Sequence, residues 1–242
     1  METKFTKGIK NASKETIFCP HCKKQYEADV PTMVVDDLAY SEARGIEENG
    51  KYFKFKCPHC GKYHIHNHQM IYISNKHGQE WAIELVPTKD EALEKAYEYD
   101  KLRKSKTSTA DFINYRYRLV WDLNKFCEKL MIASNEFDDR PLELLKSWVA
   151  EKLKEANAPE IHDQAFFTPD RHKFFIMTEF ANEGGYEFEI SKENYQSALK
   201  VLDGHPIMET DIDYIVDQEM IENFQQLSKT KYVPVHQLYE AE

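Results

Sequence analysis

Four of the five cysteines stand in two copies of one tetrapeptide, Cys19-Pro20-His21-Cys22 and Cys57-Pro58-His59-Cys60. A Cys-x-x-Cys step is short enough for a tight turn to aim both sulfurs at one point. Two such turns together offer four thiolates in a tetrahedron, the closed geometry of structural zinc. Cys19, Cys22, Cys57 and Cys60 are therefore the candidate metal ligands, with Zn2+ as the expected cofactor. Turn-friendly residues follow each copy, Lys23-Lys24 in the first and Gly61-Lys62 in the second. Gly61 suits a left-handed turn position, and Pro58 fixes its own φ.

Two rival chemistries fit these cysteines less well. A disulfide pair needs an oxidising compartment, and Met1-Glu2-Thr3-Lys4-Phe5 lacks the apolar run of a signal peptide. A redox Cys-x-x-Cys is a single copy that opens a helix after a strand. Here β-like runs (Thr16-Ile17-Phe18 and Tyr52-Phe53-Lys54-Phe55) precede the copies, but no helical pattern follows either. The 34 residues between Cys22 and Cys57 exceed the roughly 15 to 20 of a compact zinc ribbon, which predicts an insertion.

Other reactive residue types carry weaker signals. His64, His66 and His68 alternate, so on a strand their rings share a face. Neighbours there are roughly 6 to 7 Å apart, awkward for one ion. With no carboxylate nearby to orient a ring, they read as an exposed strand face. His21 and His59 lie inside the knuckles, where four cysteines already suffice as ligands. Cys127 falls on an apolar helical stripe and reads as a small buried hydrophobe. Asp138-Asp139-Arg140-Pro141 reads as a helix start, with acids complementing the dipole and proline in the first turn. Gly184-Gly185 reads as a turn. No nucleophile elbow, phosphate loop, zinc-protease or dinucleotide motif occurs, so no catalytic and no cofactor-binding residues are assigned.

The elements that must position the thiols can be read from pattern. With 242 residues, 41% hydrophobic and 13% aromatic, the chain can fill a core. No apolar run reaches the roughly 18 residues of a membrane span, and paired thiols without an export signal point to the cytoplasm. Tyr26–Val30, Thr32–Val35 and Tyr63–His68 are strand-like. Met70–Ile73 and Trp81–Val86 flank Asn75-Lys76-His77-Gly78 as a hairpin. Asp36–Ile46 reads as a short helix. Thr88 with Glu91 is a capping-box signature for a helix to about Lys104, and Ser105–Ala110 a loop. Asn114–Val120 is extended or begins a helix. Leu123, Phe126, Cys127, Leu130 and Met131 have helical spacing, as do Leu142, Leu145, Trp148, Val149 and Leu153. Ala165–Thr168, Lys173–Met177 and Tyr186–Ile190 are strands, Ser191 caps a helix to Leu202, and Ile215, Met220, Ile221, Phe224 and Leu227 mark a last helix. No repeat beyond the doubled knuckle is visible.

The class is thus α+β: an N-terminal zinc-ribbon-like β domain with an insertion, a central helical segment, and a small C-terminal β-sheet plus helix. The expected division is a flexible leader at 1–14, the ribbon at 15–87, helices at 88–158, a small α+β unit at 159–204 and an acidic helical tail at 205–242. Residues 1–70 carry 11 Lys+Arg against 9 Asp+Glu, a net of +2, and the rest 21 against 33, a net of −12, which together give the −10 of the chain. Such an acidic body is a poor general ligand for nucleic acid. Lys23, Lys24, Lys54, Lys56 and Lys62 read as a solvated face.

The two knuckles, their long interval and the segments downstream of them resemble the CpXC-domain family of bacterial and archaeal proteins. Met70–Ser74 and Trp81–Pro87 resemble the hairpin after its second knuckle. Tyr117–Asn124 and Phe137–Lys146 resemble the helical part of longer members, so the likeness spans about Thr16–Leu153. It implies metal binding at Cys19, Cys22, Cys57 and Cys60, and no assigned activity. The leading expectation is a protein-interaction or adaptor module with a structural metal, acting on a protein partner or by self-association. The alternatives are a hydrolase or nuclease-like enzyme in which zinc only holds the fold, and nucleic-acid binding through the zinc lobe.

Overall fold

The residues on either side of the first knuckle pair as a hairpin. The computed structural model describes residues 8–36, 45–46, 50–76, 79–104, 115–155, 165–170, 173–179, 185–209 and 214–226. In it β1 (Gly8–Phe18) runs antiparallel to β2 (Gln25–Asp36). Residues 8–14, expected from their polarity to belong to a flexible leader, are therefore strand. A backbone ladder satisfies N–H and C=O groups whatever the side chains, so polarity hid it. β3 (Lys54–Lys56) and β4 (Tyr63–Ile65) form a second, shorter hairpin around the second knuckle.

β5 (Met70–Lys76) and β6 (Gln79–Leu85) pair antiparallel, with Lys76 opposite Gln79, as the turn signal between them predicts. β5 joins β2 in parallel, and β7 (Arg116–Val120) joins β6 in parallel, giving one sheet in the order β1-β2-β5-β6-β7. Parallel neighbours require long crossovers. The first crossover carries the second knuckle. The second carries α1 (Lys89–Lys104), where the Glu91 N–H donates to Thr88 Oγ1 at 3.2 Å as the capping signature predicts. β7 is the stretch whose alternation left strand and helix open. Tyr117 to Val120 are buried in succession, which erases the two-residue period.

The chain divides into two compact units, residues 1–92 with 109–130 and residues 93–108 with 131–242. The core of the first includes Val30, Val34, Tyr72, Ile83, Leu119 and Phe126, with Phe53 edge-on to Phe126. Two of its buried carboxylates accept hydrogen bonds: Tyr72 donates to Asp36 at 2.8 Å, and Gln69 and Tyr117 donate to Glu84.

α2 (Leu123–Ser134) and α3 (Asp139–Glu155) follow β7. In the second unit β8 (Ala165–Asp170), β9 (Lys173–Glu179) and β10 (Gly185–Ile190) form an antiparallel sheet in the order β10-β9-β8. α4 (Lys192–Leu202) and α6 (Gln218–Gln226) pack on α3, and α5 (Pro206–Glu209) is a single turn. Ser191 and Asn194 complete a capping box on α4. The fold is α+β, as expected. Most of the helix expected over 36–46, the loop at 105–110, Gly184 and everything past 226 lie outside the described residues. Among the described residues no helix is long and apolar enough to cross a membrane.

Candidate metal centre

Each knuckle is the tip of a hairpin, and the same backbone bonds close both. The Cys19 N–H donates to Lys24 O at 2.9 Å and the Lys23 N–H to Cys19 O at 3.0 Å. In the second copy Cys57 N–H donates to Lys62 O at 3.0 Å and Gly61 N–H to Cys57 O at 2.9 Å. This turn needs a left-handed residue after its second cysteine. Lys23 supplies it at φ 61° and Gly61 at φ 71°. Only glycine does so without strain.

The duplication extends beyond the knuckles. The cross-strand pairs Thr16–Glu27, Ile17–Tyr26 and Phe18–Gln25 correspond, thirty-eight positions on, to Lys54–Ile65, Phe55–His64 and Lys56–Tyr63. The repeat is a strand–knuckle–strand unit, invisible in the sequence because its flanking side chains differ. Contacts between the two copies come in exchanged pairs. Cys19 Sγ lies 3.8 Å from Cys60 Sγ, and Cys22 Sγ 3.7 Å from Cys57 Sγ. His21 Nε2 donates to Tyr63 O at 3.2 Å, and His59 Nε2 to Gln25 O at 3.1 Å. Tyr26 and His64 occupy equivalent positions and bond each other, hydroxyl to Nε2, at 2.9 Å. Reciprocal contacts of this kind define a local two-fold axis, and it passes through the sulfur cluster.

The four Sγ atoms all lie within 4.8 Å of one another. Metal–sulfur bonds of about 2.3 Å in a tetrahedron imply sulfur–sulfur edges of about 3.8 Å, close to the two cross-knuckle separations. A disulfide would need about 2.05 Å. The group could therefore hold one ion, which would be closed off by four thiolates.

Electrostatics points the same way. Burial works to raise the Cys19 thiol, but hydrogen bonds from the backbone of Cys22 and His21 and from neighbouring thiols bring it down to about 6. The Lys24 backbone N–H draws the Cys22 thiol down, yet burial and the sulfurs of Cys57, Cys19 and Cys60 push it up to about 11. Four crowded sulfurs cannot all ionise against one another, and a bound cation removes that conflict. Tyr26 is held neutral, its hydroxyl pushed up first by burial and then by the same cysteines.

A family model described as CpXC protein matches residues 9–146, more than half of the chain. The chain belongs to that family. The CpXC match takes in both knuckles and the five-stranded sheet, and ends within α3. No curated protein and no solved structure matches the chain.

The histidines depart from expectation. His64, His66 and His68 do alternate inward, but the face they share is interior: His64 is 8% and His68 7% exposed. The strand itself stops at Ile65. Glu15, from β1, reaches His66 Nε2 at 3.1 Å, so a carboxylate does orient a ring there. His68 Nε2 lies 2.9 Å from Pro31 O and Nδ1 3.1 Å from His66 O, with its ring stacked on His66 and against Phe53. The expected exposed face is instead a packed aromatic–imidazole layer. Its partners come from β1 and β2, which no local pattern could reveal. His21 and His59 serve the carbonyls named above. Cys127 is half-buried on α2. Asp138 accepts the Arg140 N–H at 3.0 Å at the start of α3, the helix-start role expected of it.

Proposed function

We propose that the chain is a zinc protein whose ion is structural, and that it works as an interaction module in a cytoplasmic setting. One observation supports this above the rest: the donor set is closed. Four thiolates saturate a tetrahedral ion and leave no position for water or substrate. Soft sulfur donors in that geometry favour zinc over hard cations. A reducing compartment keeps such thiols available to metal. The ion then joins two hairpins and fixes the surfaces they carry.

Elemental analysis of the full chain, purified without added metal or chelator, should find about one zinc per chain. Cys57→Ser should abolish it and unfold the two hairpins, since metal binding contributes directly to folding. A well-folded protein with no metal would sink the zinc reading. For the interaction role, light scattering and native pull-down should show self-association or a retained partner. A strict monomer that repeatedly retains nothing would count against it.

A further inference from the structure

The local two-fold axis provides an internal comparison. Equivalent outward positions on the two hairpins are Thr16, Phe18, Gln25 and Glu27 on the first, and Lys54, Lys56, Tyr63 and Ile65 on the second, all exposed. The metal geometry is duplicated, and so is an exposed ring beside a lysine, since Lys23 Nζ lies 5.9 Å from the centre of Phe18 on the first hairpin. The second hairpin differs in setting two lysines on its ring and in having no acidic residue among these outward positions, where the first has Glu27. Between Glu48 and Glu80 the sequence has no acidic residue at all, although the chain holds 42. The Lys54 and Lys56 ammoniums lie 5.5 and 5.8 Å from the centre of the Tyr63 ring, which is 56% exposed. Among the described residues neither ammonium meets a carboxylate.

We infer that the outer face of β3–β4 binds single-stranded nucleic acid. This rests on the reading of the chain as an interaction module and names the partner. A base stacks on the exposed Tyr63 ring, with Ile65 beside it, and Lys54 and Lys56 turn from the ring to the flanking phosphates. Any base offers a π face, so the site is tolerant of sequence. An acidic peptide could neutralise the lysines, but it has no planar group to place on Tyr63. The acidic remainder of the chain confines the strand to this hairpin and keeps duplex DNA away.

The test is fluorescence anisotropy of labelled oligouridylate and oligothymidylate with the metal-loaded full chain, across a salt series. Two neutralised phosphates give a slope of log K against log salt of about −1.4 for a single strand. Tyr63→Ala should weaken binding roughly tenfold. Lys54→Glu with Lys56→Glu should remove it and flatten the slope. Gln25→Ala, at the position equivalent to Tyr63, should change nothing. Metal content and circular dichroism of each variant establish that the ribbon is intact. No binding at low salt, binding unmoved by these variants, or equal binding of polyglutamate would overturn the proposal. The zinc assignment is judged separately by metal stoichiometry and survives any of those results.

Discussion

Lys23 and Gly61 hold the same place in equivalent turns, at φ 61° and 71°. A Cβ added at Gly61 would meet nothing within 4 Å, so only the backbone resists substitution there. Gly61→Ala should therefore cost about 1 kcal/mol, and Lys23→Gly should stabilise by about 1 kcal/mol or less. Denaturant midpoints of the metal-loaded protein check both, and equal signs would contradict the shared turn. His68 makes a pH prediction. Burial holds its pKa below the ordinary 6.5, outweighing the pull of the His66 and Pro31 carbonyls in the other direction. The unfolded chain thus takes up the proton first. Stability from this group is complete above about pH 6.5 and is lost as pH falls towards the depressed folded value. Ring resonances of His68 followed by NMR should titrate below 6.5, and His68→Phe should flatten the acid limb of stability in that window.

At the scale of elements, local signals were legible and borrowed ones were not. The Thr88 and Ser191 caps, the β5–β6 turn and the apolar stripes of α2 and α3 are written within a few residues of where they act. Ser191→Ala should remove the bond to the Asn194 N–H, 3.2 Å long, and cost about 1 kcal/mol in thermal unfolding. The outer half of β1 was hidden because its partner, β2, supplies the reason for extension. β7 was ambiguous because two buried faces leave no alternation. The knuckle cysteines could be read from spacing alone. The layer beneath them could not, because Glu15 and Pro31 reach the histidines across a strand pairing that nothing near His66 or His68 announces. The doubled hairpin was likewise concealed, its backbone repeated under unrelated side chains.

For the molecule as a whole, the duplicated unit localises what a bound ion would support. Chelation should raise hydrogen exchange first across residues 16–27 and 54–65, including the amides of Cys19, Lys23, Cys57 and Gly61 that close the knuckles. Loss of protection at the same rate in α3 and α4 would contradict this. The parallel pairing of β2 with β5 carries a further consequence, for the order of assembly. Met33 must find Ile71 across a long crossover before any ladder bond rewards the search. An ion that already joins Cys22 to Cys57 turns that excursion into a short one, because both strands then start from the same anchored point. A bound metal would in this sense be a chaperone for topology, and on the proposed zinc reading the rate of refolding should climb with free zinc until the site is saturated.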